Sequence, residues 1–197
     1  MKAITTDAWK EILEKNCTGI EQDILGFTFE DRNLLMRALL RKAAFKDQNF
    51  PVELRKYGFQ NGLDTFGDKF LDFAIFDHFI DNFLTSDSIS EKMVNGHREW
   101  YSQNVILQEF SLNCISLQNY VVWGIDESDK KIWDQLTTKI LADCFEALVG
   151  AIYKDQGMKG VKKMLEHIDF FERIDKLRFK KGQKKSEFYI PETERIF

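Results

Sequence analysis

Apolar residues recur three and four positions apart along most of the chain and almost nowhere alternate strictly, a pattern that predicts helices and no sheet. Only Pro51 and Pro191 could interrupt it. A first helix is predicted from Asp7 to Asn16 and a second, short one before a turn at Gly26. Asp31 is placed to cap RNLLMRALLRKAAF, in which Leu34, Leu35, Ala38 and Leu39 form one stripe. KDQNFPVELRKYGF, with Pro51 and Gly58, reads as a loop of a length that is often functional in a compact domain. From Leu63 to Leu84 the chain is apolar nearly all round, which predicts a central helix wrapped by others. Ser88 and Glu91 form a capping box for a helix running through Met93, Val94, Trp100, Val105, Ile106 and Phe110. After a break at Gly124 and DESDKK, a last long helix spans about Trp133 to Tyr153, with Gly157 as its stop signal and the amphipathic VKKMLEHIDFF beyond. The single shift in composition is the basic, less apolar stretch after about Asp175. The parse is therefore one all-α helical bundle over residues 1–174 and a basic C-terminal tail over 175–197.

Composition narrows the class. The chain has 197 residues, 44% hydrophobic and 30% charged, which suits one globular domain. No stretch reaches the roughly 20 apolar residues of a membrane span, and the N-terminus lacks the apolar run of a secretory signal, so a soluble cytoplasmic protein without a membrane partner is expected. Cys17, Cys114 and Cys144 are odd in number and lack C-x-x-C spacing, which argues for buried, reduced thiols rather than disulfides or zinc. Trp9, Trp100, Trp123 and Trp133 are expected to be packing residues with satisfied N–H groups. With 28 basic and 32 acidic residues the net charge is −4, so any attraction to a polyanion must come from a local patch or from bound cations.

Candidate chemistry lies on the two most apolar helices. Asp64 and Asp68 are four apart and share one face; Asp143 and Glu146 are three apart and share another. An unpaired buried carboxylate is costly, so each must be exposed, protonated, paired or metal-bound. One reading makes Asp64 and Asp68 the wet strip of their helix and pairs Asp143 with Lys139. The other takes all four as a set beside Gly67 and Gly150, each of which costs about 1 kcal/mol in a helix interior relative to alanine. Glycines there permit a close helix approach. Four oxygen donors without histidine or thiolate suit a hard cation such as Mg²⁺ or Mn²⁺. A di-iron centre needs Glu-x-x-His pairs, and none of His78, His97 and His167 stands three residues after a glutamate. A G-x-S-x-G elbow is absent, and no organic cofactor is indicated.

The stretch Leu63-Asp64-Thr65-Phe66-Gly67-Asp68 resembles the ribonuclease III signature Leu-Glu-Phe-Leu-Gly-Asp. KILADCFEALVGAIY, from Lys139 to Tyr153, resembles the second acidic helix of that family, and GFTFEDRNLLMRALL, from Gly26 to Leu40, its opening helices. The resemblance implies the ribonuclease III endonuclease fold and a homodimer that cuts double-stranded RNA in RNA processing by Mg²⁺-assisted phosphodiester hydrolysis. By position it assigns Asp64, Asp68, Asp143 and Glu146 to the metal, with Asp68 and Glu146 as catalytic residues. Lys139 is either a phosphate contact or the salt-bridge partner of Asp143.

Departures from the family pattern are also evident. Asp64 stands at a glutamate position, Asn61 at a carboxylate position, Thr65 at the phenylalanine that packs in the dimer, and Ser86 at an acidic position for which Asp87 is a neighbouring substitute. These departures motivate an alternative, a non-catalytic RNA-binding or scaffold protein with the same fold. Too few residues follow Phe171 for a separate double-stranded RNA-binding domain, so the chain resembles the Mini-III type. Its tail KLRFKKGQKK offers Lys176, Arg178, Lys180, Lys181, Lys184 and Lys185 either to RNA phosphates or to solvent.

Overall fold

The computed structural model describes residues 6–47, 50–84, 90–135 and 138–180. The described residues form α-helices joined by short turns, with an isolated parallel bridge between Leu40 and Val122. α1 (Thr6–Ile20) runs without a break into a π-helical turn at Glu21–Leu25, so the predicted second helix is a continuation of the first. It ends at Gly26, whose φ of 66° supplies the left-handed cap. Asp31 caps α2 (Arg32–Leu39) by accepting from the Asn33 N–H. That helix stops at Leu40, and α3 (Lys42–Lys46) is a separate turn rather than its extension.

The segment around Pro51 is built rather than loose. A 3₁₀ turn over Val52–Tyr57 buries Leu54, and Leu54 and Phe50 join Trp9, Leu13, Leu40, Ala44 and Val122 in a second, smaller core. Trp9 and Phe50 meet edge to face at 5.2 Å. Arg55 clamps α3 from below, donating to the carbonyls of Phe45 and Asp47.

The main core is centred on α4 (Leu63–Leu84) and α8 (Ile140–His167), the pair with the most extensive contact. A Cβ on Gly67 would lie 1.8 Å from the Glu146 carbonyl oxygen, and one on Gly150 would lie 2.4 Å from that of Leu63. The two backbones touch, which only glycine permits. α4 is not wrapped, contrary to its pattern: Phe73 is 52% exposed, and Phe66 and Phe70 are half-buried. The rings of Phe70 and Tyr153 stack at 3.4 Å and the ring of Phe66 lies 4.7 Å from Phe70, forming an aromatic face open to solvent.

The helix predicted to run through Met93 to Phe110 is two, α5 (Glu91–Ser102) and α6 (Asn104–Asn113). Ser86, Asp87 and Ser88 lie outside the described residues. Beyond the short α7 (Ile125–Asp129), residues Ile132–Asp134 make a 3₁₀ turn, and α8 begins only at Ile140. Gly157 breaks α8 with φ 67° and ψ −165°, a conformation nearly confined to glycine.

α9 (Phe170–Lys180) corrects the proposed boundary at residue 175, which falls inside a packed helix. Asp175 is buried and accepts from the indole of Trp100 and the hydroxyl of Tyr101. Arg178, grouped by sequence with an RNA-binding tail, is 3% exposed; its guanidinium lies 4.2 Å from the Trp100 ring centroid and bonds to the Glu99 carbonyl and Gln103. Burial and these contacts remove it from the surface. Lys176 pairs with Glu172, and Lys181, Lys184 and Lys185 lie outside the described residues. Trp123 donates to the Gln118 carbonyl, whereas the buried Trp9 N–H has no acceptor among the described residues.

Two glycine substitutions separate contact from conformation. Gly67→Ala drives a Cβ into backbone and should cost about 3 kcal/mol or more. Gly157→Ala meets open space and should cost about 1–2 kcal/mol through its dihedral angles alone. Urea unfolding measures both, and equal losses would contradict the packing argument.

Candidate active site

The close contact of α4 and α8 decides what lies at their shared end. Asp64 occupies the first turn of α4 and accepts from the N–H of Thr65, with Asp68 one turn later. Asp143 occupies the first turn of α8, with Glu146 one turn on. Asp64 and Asp143 therefore sit where helix dipoles favour negative charge. Asp64, Thr65, Asp68, Asn104, Lys139, Asp143 and Glu146 line one open cavity of about 190 Å³. The structure thus brings together all four predicted carboxylates and Lys139.

Their charges are unevenly compensated. Lys139 lies 3.1 Å from Asp143, and Lys69 lies 2.7 Å from Asp68. The Asp143 carboxylate in turn holds the Lys139 ammonium pKa above its ordinary value. Glu146 is 8% exposed, and among the described residues no hydrogen bond or ion pair reaches its carboxyl. Burial first, then Asp68 and Asp143, push its pKa up to about 8. A buried, unpartnered carboxyl facing two carboxylates lacks a counter-cation, and this oxygen-only donor set suits a hard divalent ion. As the side chains lie, no three His, Cys, Asp or Glu among the described residues are gathered closely enough to hold a metal; two of the carboxylates are turned to lysines.

The sequence reading missed Asn104 and Gln108. Asn104 opens α6 and lines the cavity, but a helix read as unbroken from Met93 to Phe110 hides that start. Gln108 is fully buried; it accepts from the Leu141 N–H at 2.7 Å and donates to the Trp133 carbonyl. Lys139, at the N-cap of α8, makes no side-chain cap, so a glutamine from another helix satisfies that end and fixes α6 against Asp143. Gln103 is likewise drawn from capping α6 by its bond to Arg178. Asn61 and Thr65 are exposed; the Asn61 carbonyl accepts from Arg37 in the turn before α4. Burial pushes the Cys17 and Cys144 thiols up to about 12, so neither is a nucleophile. The imidazole of His78 stacks on Phe171 at 3.8 Å, away from the carboxylates.

The nuclease domain of Ribonuclease III from Campylobacter jejuni superposes with a TM-score of 0.62 at 24% identity, covering 78% of this chain and 96% of that one. That structure concerns flexibility in a region involved in dimer formation; a second structure of the same domain gives a TM-score of 0.58 at 23% identity over 86% of this chain. The Ribonuclease-III-like family model matches residues 31–170, and the chain belongs to that family. Ribonuclease 3 of Chloroflexus aggregans is 30% identical over 161 residues, 78% of this chain and 63% of that protein. Ribonuclease 3 of Francisella philomiragia is 30% identical over 142 residues, 72% of this chain. The chain spans 63% and 54% of the lengths of these two curated relatives.

The raised Glu146 pKa gives stability a pH slope of known sign. Between 4.5, its ordinary value, and about 8 the folded protein holds a proton that the unfolded chain has released, so metal-free stability falls as pH rises through this window. Glu146→Gln removes the titration. In EDTA its stability advantage over the parent should grow from pH 5 to pH 9, as read by urea unfolding; a difference independent of pH would contradict the assignment.

Proposed function

We propose that this protein is a divalent-cation-dependent endoribonuclease that hydrolyses phosphodiester bonds in double-stranded RNA, acting as a homodimer in RNA processing. The carrying observation is the buried, uncompensated Glu146 beside Asp64, Asp68 and Asp143 in one cavity of a ribonuclease III fold. Asp68 and Glu146 are the proposed catalytic residues, and all four carboxylates would hold Mg²⁺, with Mn²⁺ as a substitute. When bound, the cation supplies Lewis acidity at the phosphate and lowers the pKa of water.

The chain's own groups have separable tasks. Glu146 holds its proton near neutral pH in the metal-free state and would have to give it up to hold a cation, so cation affinity should rise with pH toward about 8. Lys139 and Lys69 hold Asp143 and Asp68 in the free protein and must release them. Lys139, which lines the cavity, would then be available to contact the phosphate. Asn104 offers a neutral amide there, which can donate to the RNA without adding charge.

Dimerisation is supported by the solvent-open aromatic face of Phe66, Phe70, Phe73 and Tyr153. Thr65, exposed in the place of the signature phenylalanine, leaves that contact to these neighbours. The alternative, a non-catalytic RNA-binding protein, is favoured by the two lysine-bound carboxylates and by the lack of a preformed three-ligand cluster among the described residues.

Cleavage of a long labelled RNA duplex with Mg²⁺, Mn²⁺ or EDTA decides between these readings. Cutting should require metal and fall by at least about 100-fold in Glu146→Gln. Absence of cutting, with duplex binding unchanged in Asp68→Ala, would establish the non-catalytic reading.

A further inference from the structure

The charge of this chain is unevenly placed. Residues 37–56 hold six Lys/Arg against two Asp/Glu, a net +4 in a protein of net −4. The charged residues of this range lie on described elements, in residues 37–47 and 50–56. Lys42 and Lys46 lie one turn apart on α3, hence on one face, and both are exposed. Arg55 reaches the carbonyls of Phe45 and Asp47 at the end of α3, which brings the 3₁₀ turn carrying exposed Lys56 alongside. Lys56 and Arg37 line a common open cavity of about 380 Å³, together with Asp31 and Asn33. Arg37 donates to the carbonyls of Phe59 and Asn61, so the strip ends at the turn leading into Asp64.

The lysines of this strip are not consumed by the protein. Elsewhere Lys69, Lys139, Lys162 and Lys176 each lie against a carboxylate. Lys42, Lys46 and Lys56 have no carboxylate partner among the described residues, and Lys56 only overlies its neighbour Tyr57. Lys42 and Lys46, one turn apart on α3, are like charges on one face, and an anion placed there would offset both. The apolar packing of Phe50 and Leu54 beneath them holds the strip rigid, so little ordering entropy is lost on binding.

We infer that Lys42, Lys46 and Lys56, continued by Arg37, form a phosphate-binding strip that holds the backbone of duplex RNA beyond the cleavage mouth. The strip rests on the function proposed above for its choice of polyanion. It reads backbone charge and confers no sequence preference.

The test uses Lys42→Gln, Lys46→Gln and Lys56→Gln together, with Lys10→Gln, Lys15→Gln and Lys159→Gln as a control of equal charge change. Binding of a random-sequence RNA duplex is titrated in Ca²⁺ over a range of KCl concentrations, and cleavage is followed separately in Mg²⁺. In the strip variant the slope of log Kd against log salt should fall by about 3, affinity at 0.15 M salt should drop by about tenfold or more, and kcat should hold while KM rises. The control should keep the parent slope. A strip variant that matches the control, in a parent that binds and cuts, overturns the strip and leaves the nuclease reading standing. A parent that binds with the predicted slope but never cuts overturns the nuclease reading and retains the strip. A parent that does not bind duplex RNA overturns both.

Discussion

The contact between Gly67 and Gly150 is the constraint on which the rest of the molecule depends. It brings the Glu146 carbonyl to where a Gly67 side chain would begin, so the backbone of one acidic helix lies directly against that of the other. Glu146 therefore emerges from the line of closest approach, where it is largely buried at the wall of the cavity, and Asp68 follows Gly67 on the facing helix. Packing and charge are one problem here. The approach that closes the core between α4 and α8 also concentrates carboxylates that repel one another, and wider helix spacing would relieve the repulsion only by opening the core.

The protein relieves this charge unequally. Asp68 and Asp143, nearer the surface, take lysines from their own helices, and those pairs are exposed enough to be exchanged cheaply. Glu146 takes nothing and stays protonated near neutral pH instead. Around this mouth, supporting groups tie the elements together: Gln108 bonds both the start of α8 and the Trp133 carbonyl, and Arg178 holds Gln103 beside Asn104. A rigid frame around an uncompensated acid is the arrangement in which a cation gains most from binding, because the frame has already borne the repulsion.

How much of this the sequence carried depends on the range of each interaction. α4, the Asp31 cap, the Gly26 turn and the Gly157 break are legible because helix periodicity and left-handed glycines are local signals. The four carboxylates are legible as a set because spacings of three and four fix a shared face, and two glycines inside apolar helices mark a close approach. What was not legible is long-range. Gln108 and Asn104 acquire their places only when α6 meets α8, and the break at Gln103 carries neither proline nor glycine. Arg178 looked like tail because its basic neighbours dominate the composition, whereas Trp100 and Asp175 decide its burial. The openness of α4 was hidden for the opposite reason: an all-round apolar pattern states that a face must be covered, not that this chain covers it.

The segment around Pro51 joins these threads. By composition it is an awkward loop, yet Phe50 and Leu54 fold it onto Trp9 and Leu13 and present its lysines on a fixed surface. An acidic protein acting on a polyanion has two electrostatic problems, holding the polymer and admitting its phosphate among carboxylates. The strip of Lys42, Lys46 and Lys56 answers the first with fixed charge that monovalent salt screens. In the proposed function, the mouth around Glu146 would answer the second with a multivalent cation. Arg37 links the two through the turn before Asp64, donating to the carbonyls of Phe59 and Asn61, so the proposed binding strip and the acidic mouth share one connected stretch of backbone.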